Sequence, residues 1–304
     1  MNESFNVGEQ AVRFTGVSKK YPHFTLDDIS FALPTGNIMG FIGANGAGKS
    51  TTIRILMGLV HQDRGDVRVL GHSMPAAQAA AKVDIGFVSE DMRLYGAATV
   101  AWHMGFIRSI YPKWDQAYAE SLLKRFDLKS QQKIKGMSHG ERVKAAVLLA
   151  LARRPKLLVL DEPTTGLDPV ARREVLSELM AVLADEDRTI LFSSHNTLDV
   201  EQISDQITFI DRGRIIDSAD KEVFLDRWRR LRLVLPPDAA LPQIPGLVEI
   251  GGSGRLPVLT TKSFEPGMVA ACNDSGVTVQ AVDTMTLEEI FVANVQSRRE
   301  EQIA

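Results

Sequence analysis

The chain has 304 residues, of which 44% are apolar and 24% charged, enough for one large α/β domain with a small appendage or for two ordinary domains. A formal net charge of −3 provides no global basic field for gripping phosphate backbones, so nucleic acid is not expected as a partner. A lone cysteine, Cys272, excludes an intrachain disulfide and a Cys-rich metal site, and its expected place is an apolar core in a reducing compartment.

In chain order, the N-terminal MNESFNVGEQ lacks the basic-then-apolar pattern of a signal peptide. No stretch approaches the roughly 18 to 20 apolar residues that span a bilayer, so the chain reads as soluble. Short strands are expected around Val12–Phe14 and Ile29–Leu33, with a turn-rich stretch between them. The apolar run Ile38–Ile42 then enters a glycine-rich loop, and Ser50–Leu59 follows with helical spacing. Strand, loop and helix in that order open an α/β domain.

The loop reads Gly43-Ala44-Asn45-Gly46-Ala47-Gly48-Lys49-Ser50, the P-loop pattern. Its glycines let successive backbone N–H groups converge on phosphate oxygens, and the helix beginning near Lys49 adds its positive end. Lys49 is the expected charge partner of the β and γ phosphates of ATP. Ser50 is the expected Mg²⁺ ligand, with Thr51 beside it on the phosphates.

Val83–Val88 reads as a further strand, after which the pattern from about Met92 to Ala152 turns helical, most clearly at Ala119–Phe126 and Glu141–Leu151. Strands resume at Leu157–Leu160 and Thr189–Phe192, aliphatic as buried parallel strands are, with a helix over Ala171–Leu183 between them. The first of these runs into Asp161-Glu162. Taken alone, that is a strand end with an acidic turn. Beside a P-loop, Asp161 becomes a candidate for the Mg²⁺ shell and Glu162 for polarising an attacking water.

Ile207–Ile210 and Arg214–Ile216 flank Asp211-Arg212-Gly213 as a hairpin. Beyond about Trp228, Pro236, Pro237, Pro242 and Pro245 mark a linker-like stretch, followed by short strands at Pro257–Thr260 and Val277–Val282. Thr286-Leu287-Glu288-Glu289 has capping-box spacing for a last helix through about Val295.

With the P-loop and the acidic strand end in place, the sequence resembles the nucleotide-binding domains of the ATP-binding-cassette (ABC) family over roughly residues 10 to 225. Ser138-His139-Gly140-Glu141-Arg142, 23 residues before Asp161, is similar to the family's Leu-Ser-Gly-Gly-Gln signature, matching at Ser138 and Gly140 and departing at His139 and Glu141. Gly166-Leu167-Asp168-Pro169 resembles the D-loop, which implies that Asp168 lies across a partner subunit. His195, closing Ser193-Ser194-His195, stands where the family's switch histidine contacts the γ-phosphate. Glu90 replaces the usual Q-loop glutamine and would still reach Mg²⁺ or its water. Tyr21 resembles the aromatic that stacks on adenine.

The resemblance implies an α/β fold: a P-loop NTPase of ABC type with an N-terminal antiparallel β subdomain, a mainly parallel core sheet and a helical insertion at about 92–152. A small C-terminal α+β accessory domain occupies 230–304. It implies an ATPase whose ATP and Mg²⁺ are sandwiched between the P-loop of one subunit and Ser138 and Gly140 of a second ABC subunit. It further implies an integral membrane permease partner, and a cytoplasmic location on the inner face of the membrane.

Tyr111-Pro112-Lys113-Trp114-Asp115 and Leu287-Glu288-Glu289-Ile290-Phe291-Val292 are similar to exporter-type subunits that pair with type-2 permeases. The helical insertion around Met92–Ile110, with Tyr95, Trp102 and Phe106, would face that permease, the other reading of each of the three being ordinary helix core. The basic run Arg227-Trp228-Arg229-Arg230 reads as a solvated helix end, or else a lipid-headgroup contact. Other readings are a soluble ABC ATPase of translation or DNA maintenance, an importer ATPase, and a non-catalytic nucleotide sensor. The first is disfavoured by a single cassette without long heptad helices.

Overall fold

The computed structural model describes residues 10–182, 188–237 and 239–301. The sequence readings at residues 1–9 and at Leu183 therefore lie outside the described residues. The chain forms two compact units, the second beginning in sequence at Ile216, where the sequence reading puts the change at about 225–230.

In the first unit, β1 (Gln10–Tyr21), β2 (Phe24–Pro34), β3 (Ile38–Ile42), α1 (Lys49–Leu56), β4 (Arg64–Val69), β5 (His72–Met74), α2 (Gln78–Val83) and β6 (Ile85–Ser89) come first. There follow α3 (Val100–Ile110), α4 (Gln116–Arg125), α5 (His139–Leu151), β7 (Leu157–Asp161), α6 (Pro169–Val182), β8 (Thr189–Ser194), α7 (Thr197–Ile203), β9 (Gln206–Asp211) and β10 (Arg214–Asp220), which runs across the division. Four strands make an antiparallel sheet in the order β2-β1-β4-β5. Six make the core sheet, β10-β9-β3-β8-β7-β6, with parallel pairing from β9 through β6.

Every residue of β3, β7 and β8 is buried, as expected for central parallel strands covered on both faces. The main core joins Phe14, Leu26 and Phe31 of the antiparallel sheet to Phe41, Val159 and Leu191 of the core sheet, with Ile53 and Leu56 of α1 among them. The Phe14 and Phe31 rings stack at 4.7 Å. The helix that follows the P-loop is thereby held by apolar packing. On another side of β3, α7 presses so close that a Cβ on Gly40 would stand 1.9 Å from Val200 Cγ1.

Several sequence readings need correction. Thr15–Asp28, read as turn-rich, is mostly strand: β1 and β2 continue through it and pair by way of register shifts, with positive φ at Gly16 and Asp28. Val83 belongs to the end of α2 and not to a strand. β4, β5, α2 and α7 carry no period long enough to read. The hairpin after β9 is as expected, with positive φ at both Arg212 and Gly213, the backbone of a type I′ turn.

The second unit contains α8 (Lys221–Arg227), β11 (Arg229–Val234), β12 (Leu247–Ser253), β13 (Leu256–Thr261), α9 (Gly267–Asp274), β14 (Thr278–Thr284) and α10 (Leu287–Glu301). Its sheet has the order β12-β13-β11-β14, and Leu231, Leu233, Leu259, Cys272 and Val277 form its core. Burial raises the pKa of the Cys272 thiol. The run Arg227–Arg230 is neither a solvated helix end nor a free basic patch. Trp228 is fully buried, Arg227 pairs with Asp217 at 2.6 Å, and Arg230 pairs with Glu289 at 2.6 Å. A buried indole here pins the start of β11, and the arginines are neutralised within their own unit.

Among the described residues, no helix is long and apolar enough to cross a membrane.

Candidate functional site

The P-loop wraps from β3 into α1. Gly48 caps the helix at φ 117°, a conformation open to glycine and costly for any residue with a Cβ. Gly46 also has positive φ, and the position its Cβ would occupy has nothing within 4 Å, so the loop presents an open backbone cradle. Lys49, Ser50 and Thr51 open α1, and their N–H groups have no carbonyl four residues back inside the helix. Thr52 is the first to reach back, donating its N–H to Gly48 O at 2.9 Å. An anion at this terminus meets unsatisfied donors and the positive helix end.

Lys49 is 5% exposed and curls back over the loop, donating to Gly43 O at 2.7 Å and Ala44 O at 3.3 Å. Its Nζ also lies 3.1 Å from Glu162 Oε1. Glu162, itself 8% exposed and at φ 54°, follows β7. Its Oε2 accepts from His195 Nδ1 at 2.7 Å, from the His195 N–H at 3.3 Å and from Thr165 Oγ1 at 3.0 Å. Oε1 makes no hydrogen bond of good geometry and is compensated by the lysine charge alone. The carboxylate is thus held on one oxygen and open on the other.

Asp161 sits beside it, 7% exposed, accepting from Ser193 Oγ at 2.7 Å. Ser193 O accepts the Glu162 N–H at 3.1 Å, so the ends of β7 and β8 are locked together under the P-loop. Among the described residues, no group of three or more His, Cys, Asp or Glu could hold a metal ion. Mg²⁺ sites need only one or two carboxylates together with substrate phosphates and waters. Asp161 and Ser50 are residues of that kind.

The remaining expected residues are placed differently. Glu90 is exposed, and its N–H donates to Asp161 O at 3.0 Å. Its side chain lines a cavity of about 430 Å³ shared with Arg93, Lys135, His139 and Arg142. Tyr21 is half-buried at the end of β1, 6.4 Å from the Phe24 ring. Asp168 serves α6 directly: Ala171 and Val170 donate their N–H groups to its Oδ1, which holds its carboxyl below the usual range.

Ser138 caps α5, accepting the Glu141 N–H at 3.2 Å, while Glu141 Oε2 accepts the Ser138 N–H at 2.7 Å. This reciprocal capping box explains the departure at 141, since a glutamate fills that role as well as a glutamine. The Ser138 N–H bond holds the Glu141 carboxyl below its ordinary range. Ser138, at the start of α5, has its hydrogen bonds with that helix and none of those described with the P-loop.

Sequence reasoning passed over Ser193 and Thr165, which position the two carboxylates, and the bond from Thr164 Oγ1 to Asp199 at 2.6 Å. Hydroxyls two and three residues after Glu162, and the two just before His195, are the available signal.

Residues 26–165 match the ABC transporter family. The chain is 28% identical over 278 residues to the ABC transporter ATP-binding protein YtrB of Bacillus subtilis, covering 90% of this chain and 94% of that one. It is 33% identical over 227 residues to the Nod factor export ATP-binding protein I of Bradyrhizobium diazoefficiens, covering 73% and 74%. The solved structure of an ATP-binding subunit of an ABC transporter superposes with a TM-score of 0.64 at 26% identity, covering 70% of this chain and 90% of that one. A P-loop lysine, a strand-end Asp-Glu pair and a histidine gathered at one sheet edge therefore belong to an ATPase, and the chain is a member of the ATP-binding subunits of ABC transporters.

Proposed function

We propose that the chain powers an exporter by closing and opening a two-fold pair of nucleotide-binding domains around ATP. The carrying observation is the arrangement around Glu162: Oε2 is saturated by three donors, and Oε1 is left toward Lys49 and the P-loop. A terminal phosphate arriving at the α1 N-terminus takes Lys49 from Glu162 and frees Oε1 to accept a proton from water. His195 then holds the carboxylate while its exposed ring edge faces solvent or phosphate. Ser50 and Asp161 would hold Mg²⁺, which when bound would supply charge neutralisation at the phosphates. Ser138 and Gly140 serve the nucleotide of the opposite subunit, and Asp168 lies at that same seam. Glu90 is a further contact to the metal's water, and Tyr21 a stacking surface for adenine.

An aromatic patch formed by α3 and the segment before it supports a permease partner. Trp102 and Phe106 stack at 5.3 Å with Tyr95 at 6.1 Å from Trp102, and all three are about half exposed or more. An exposed aromatic cluster of this kind suits an amphipathic segment of a membrane protein. We take residues 10–225 as the nucleotide-binding domain and 230–304 as an accessory domain, on the inner face of the membrane. Export follows the relatives named for it; a methionine import ATP-binding protein of Protochlamydia amoebophila, 30% identical over 237 residues, represents the opposite direction.

Co-purification of the chain with an integral membrane protein, and ATP-dependent loss of cargo from cells expressing both, test the reading. Accumulation in place of loss overturns export. A slowly hydrolysed ATP analogue bound wholly within one subunit overturns the paired mechanism.

A further inference from the structure

We infer that His139 is a positioning residue for Glu162, acting through Thr165. This rests on the reading of Glu162 given above.

His139 is the first residue of α5, at a position where the family pattern has glycine. Its Nε2 lies 3.0 Å from Thr165 O. A carbonyl only accepts, so Nε2 carries the proton; the neutral and the cationic ring hold the contact alike. The same residue, Thr165, donates its hydroxyl to Glu162 Oε2 at 3.0 Å, and its N–H lies 3.3 Å from Glu162 O. Two short links thus run from the start of α5 to the carboxylate. A glycine at 139 has no atom that could make the first of them.

The turn after Glu162 is also held on its α7 side. Thr164 Oγ1 donates to Asp199 Oδ2 at 2.6 Å, and Asp199 pairs with Arg172. On the other side the loop passes under the imidazole at Gly166, whose φ is 71° and whose Cβ, if present, would stand 3.4 Å from His139 Nε2. The imidazole therefore helps to place Thr165, and Thr165 helps determine which oxygen of Glu162 is saturated. Loss of the link leaves Oε2 with the two His195 donors and lets the carboxylate rotate, so that Oε1 faces the P-loop for a smaller share of the time.

The test uses the full chain and steady-state ATP hydrolysis, comparing His139→Ala, His139→Gln, Thr165→Val and the double variant His139→Ala/Thr165→Val. Gln brings an amide donor of similar reach, and Thr165→Val removes the hydroxyl while keeping the carbonyl. His139→Ala is expected to lower kcat about 3- to 10-fold with KM for ATP within about 2-fold, the size of one lost hydrogen bond in a catalytic network. His139→Gln is expected to restore most of that loss. The double variant is expected to be no slower than the slower single one, because both act on the same link.

Unchanged kcat in His139→Ala overturns the inference, as does failure of Gln to rescue. Multiplicative losses in the double variant also overturn it, since they place the effect of His139 elsewhere, for instance on a nucleotide facing α5. Glu162→Gln is the control. Unchanged turnover there removes the reading of Glu162 and this inference with it, whereas lost turnover there with a wild-type His139→Ala removes the inference alone.

Discussion

Lys49 Nζ stands 3.1 Å from Glu162 Oε1, and both side chains are more than nine-tenths buried. In the function proposed above, the cation expected on phosphate is thus held by the carboxylate expected to act on water. Each group would be costly to bury alone; in the proposed mechanism a terminal phosphate takes the place of Glu162 beside Lys49 and leaves the carboxylate free.

Removing one partner should cost more than removing both. Lys49→Ala leaves a buried carboxylate without its cation, and about 3 kcal/mol of stability is expected to be lost. In Lys49→Ala/Glu162→Gln most of that loss should return, because the amide carries no charge. Denaturant unfolding of the nucleotide-free chain reads this directly; equal losses in the single and double variants would refute the stored pair. ATP binding should fall at least about 100-fold in both, since the phosphate charge partner is gone in both.

Glu162→Gln is expected to lower turnover by about 10² to 10⁴-fold while ATP still binds, since the general base is lost and the P-loop is untouched. Hydrolysis rate and nucleotide affinity measured on the same preparation separate these effects. A fall in affinity with turnover per bound ATP intact would contradict the assigned role.

The capping box predicts a pH effect on stability. Glu141 has a folded pKa held down by the Ser138 N–H, so its contribution is complete above the ordinary carboxylate range and disappears as pH falls through the lowered folded value. Glu141→Gln keeps the acceptor without the charge. The wild-type chain should exceed this variant in stability near neutral pH, by under about 1 kcal/mol, and the gap should close in acid. Thermal midpoints of both chains across that range test it; a gap independent of pH would mean the charge is irrelevant.

Gly40→Ala places a methyl 1.9 Å from Val200 Cγ1 and 2.7 Å from Ser204 Oγ. Neither neighbour is a flexible chain end in open space, so about 1 to 3 kcal/mol of destabilisation is expected. Adding Val200→Ala should recover part of it. A neutral Gly40→Ala would show that α7 can step back from β3 freely.

The reading of particular elements shows where local information suffices. β3, β7 and β8 are continuous aliphatic runs because both of their faces are buried, and such runs are visible in one dimension. β1 and β2 were read as shorter, since their polar middles pair only through register shifts that depend on each other's position. β11 was hidden in an arginine-rich run whose charges are satisfied by Asp217, Asp226, Glu289 and Asp283, residues 3 to 59 positions away. Such pairing has no local signature.

The sequence by itself determined the P-loop, the strand-end carboxylates, the family and the α/β class, because each depends on contiguous spacing along one strand, loop or helix. Only the tertiary structure decided that Glu162 pairs with Lys49 and His195, that Thr165 and Ser193 orient the carboxylates, and that His139 reaches the Thr165 carbonyl. Four of those contacts join residues 26 to 113 positions apart, and the Thr165–Glu162 bond depends on which way a turn points a hydroxyl. A hydrogen bond is decided by fractions of an ångström, and that precision arises only when the sheet edges and the α5 N-terminus have packed.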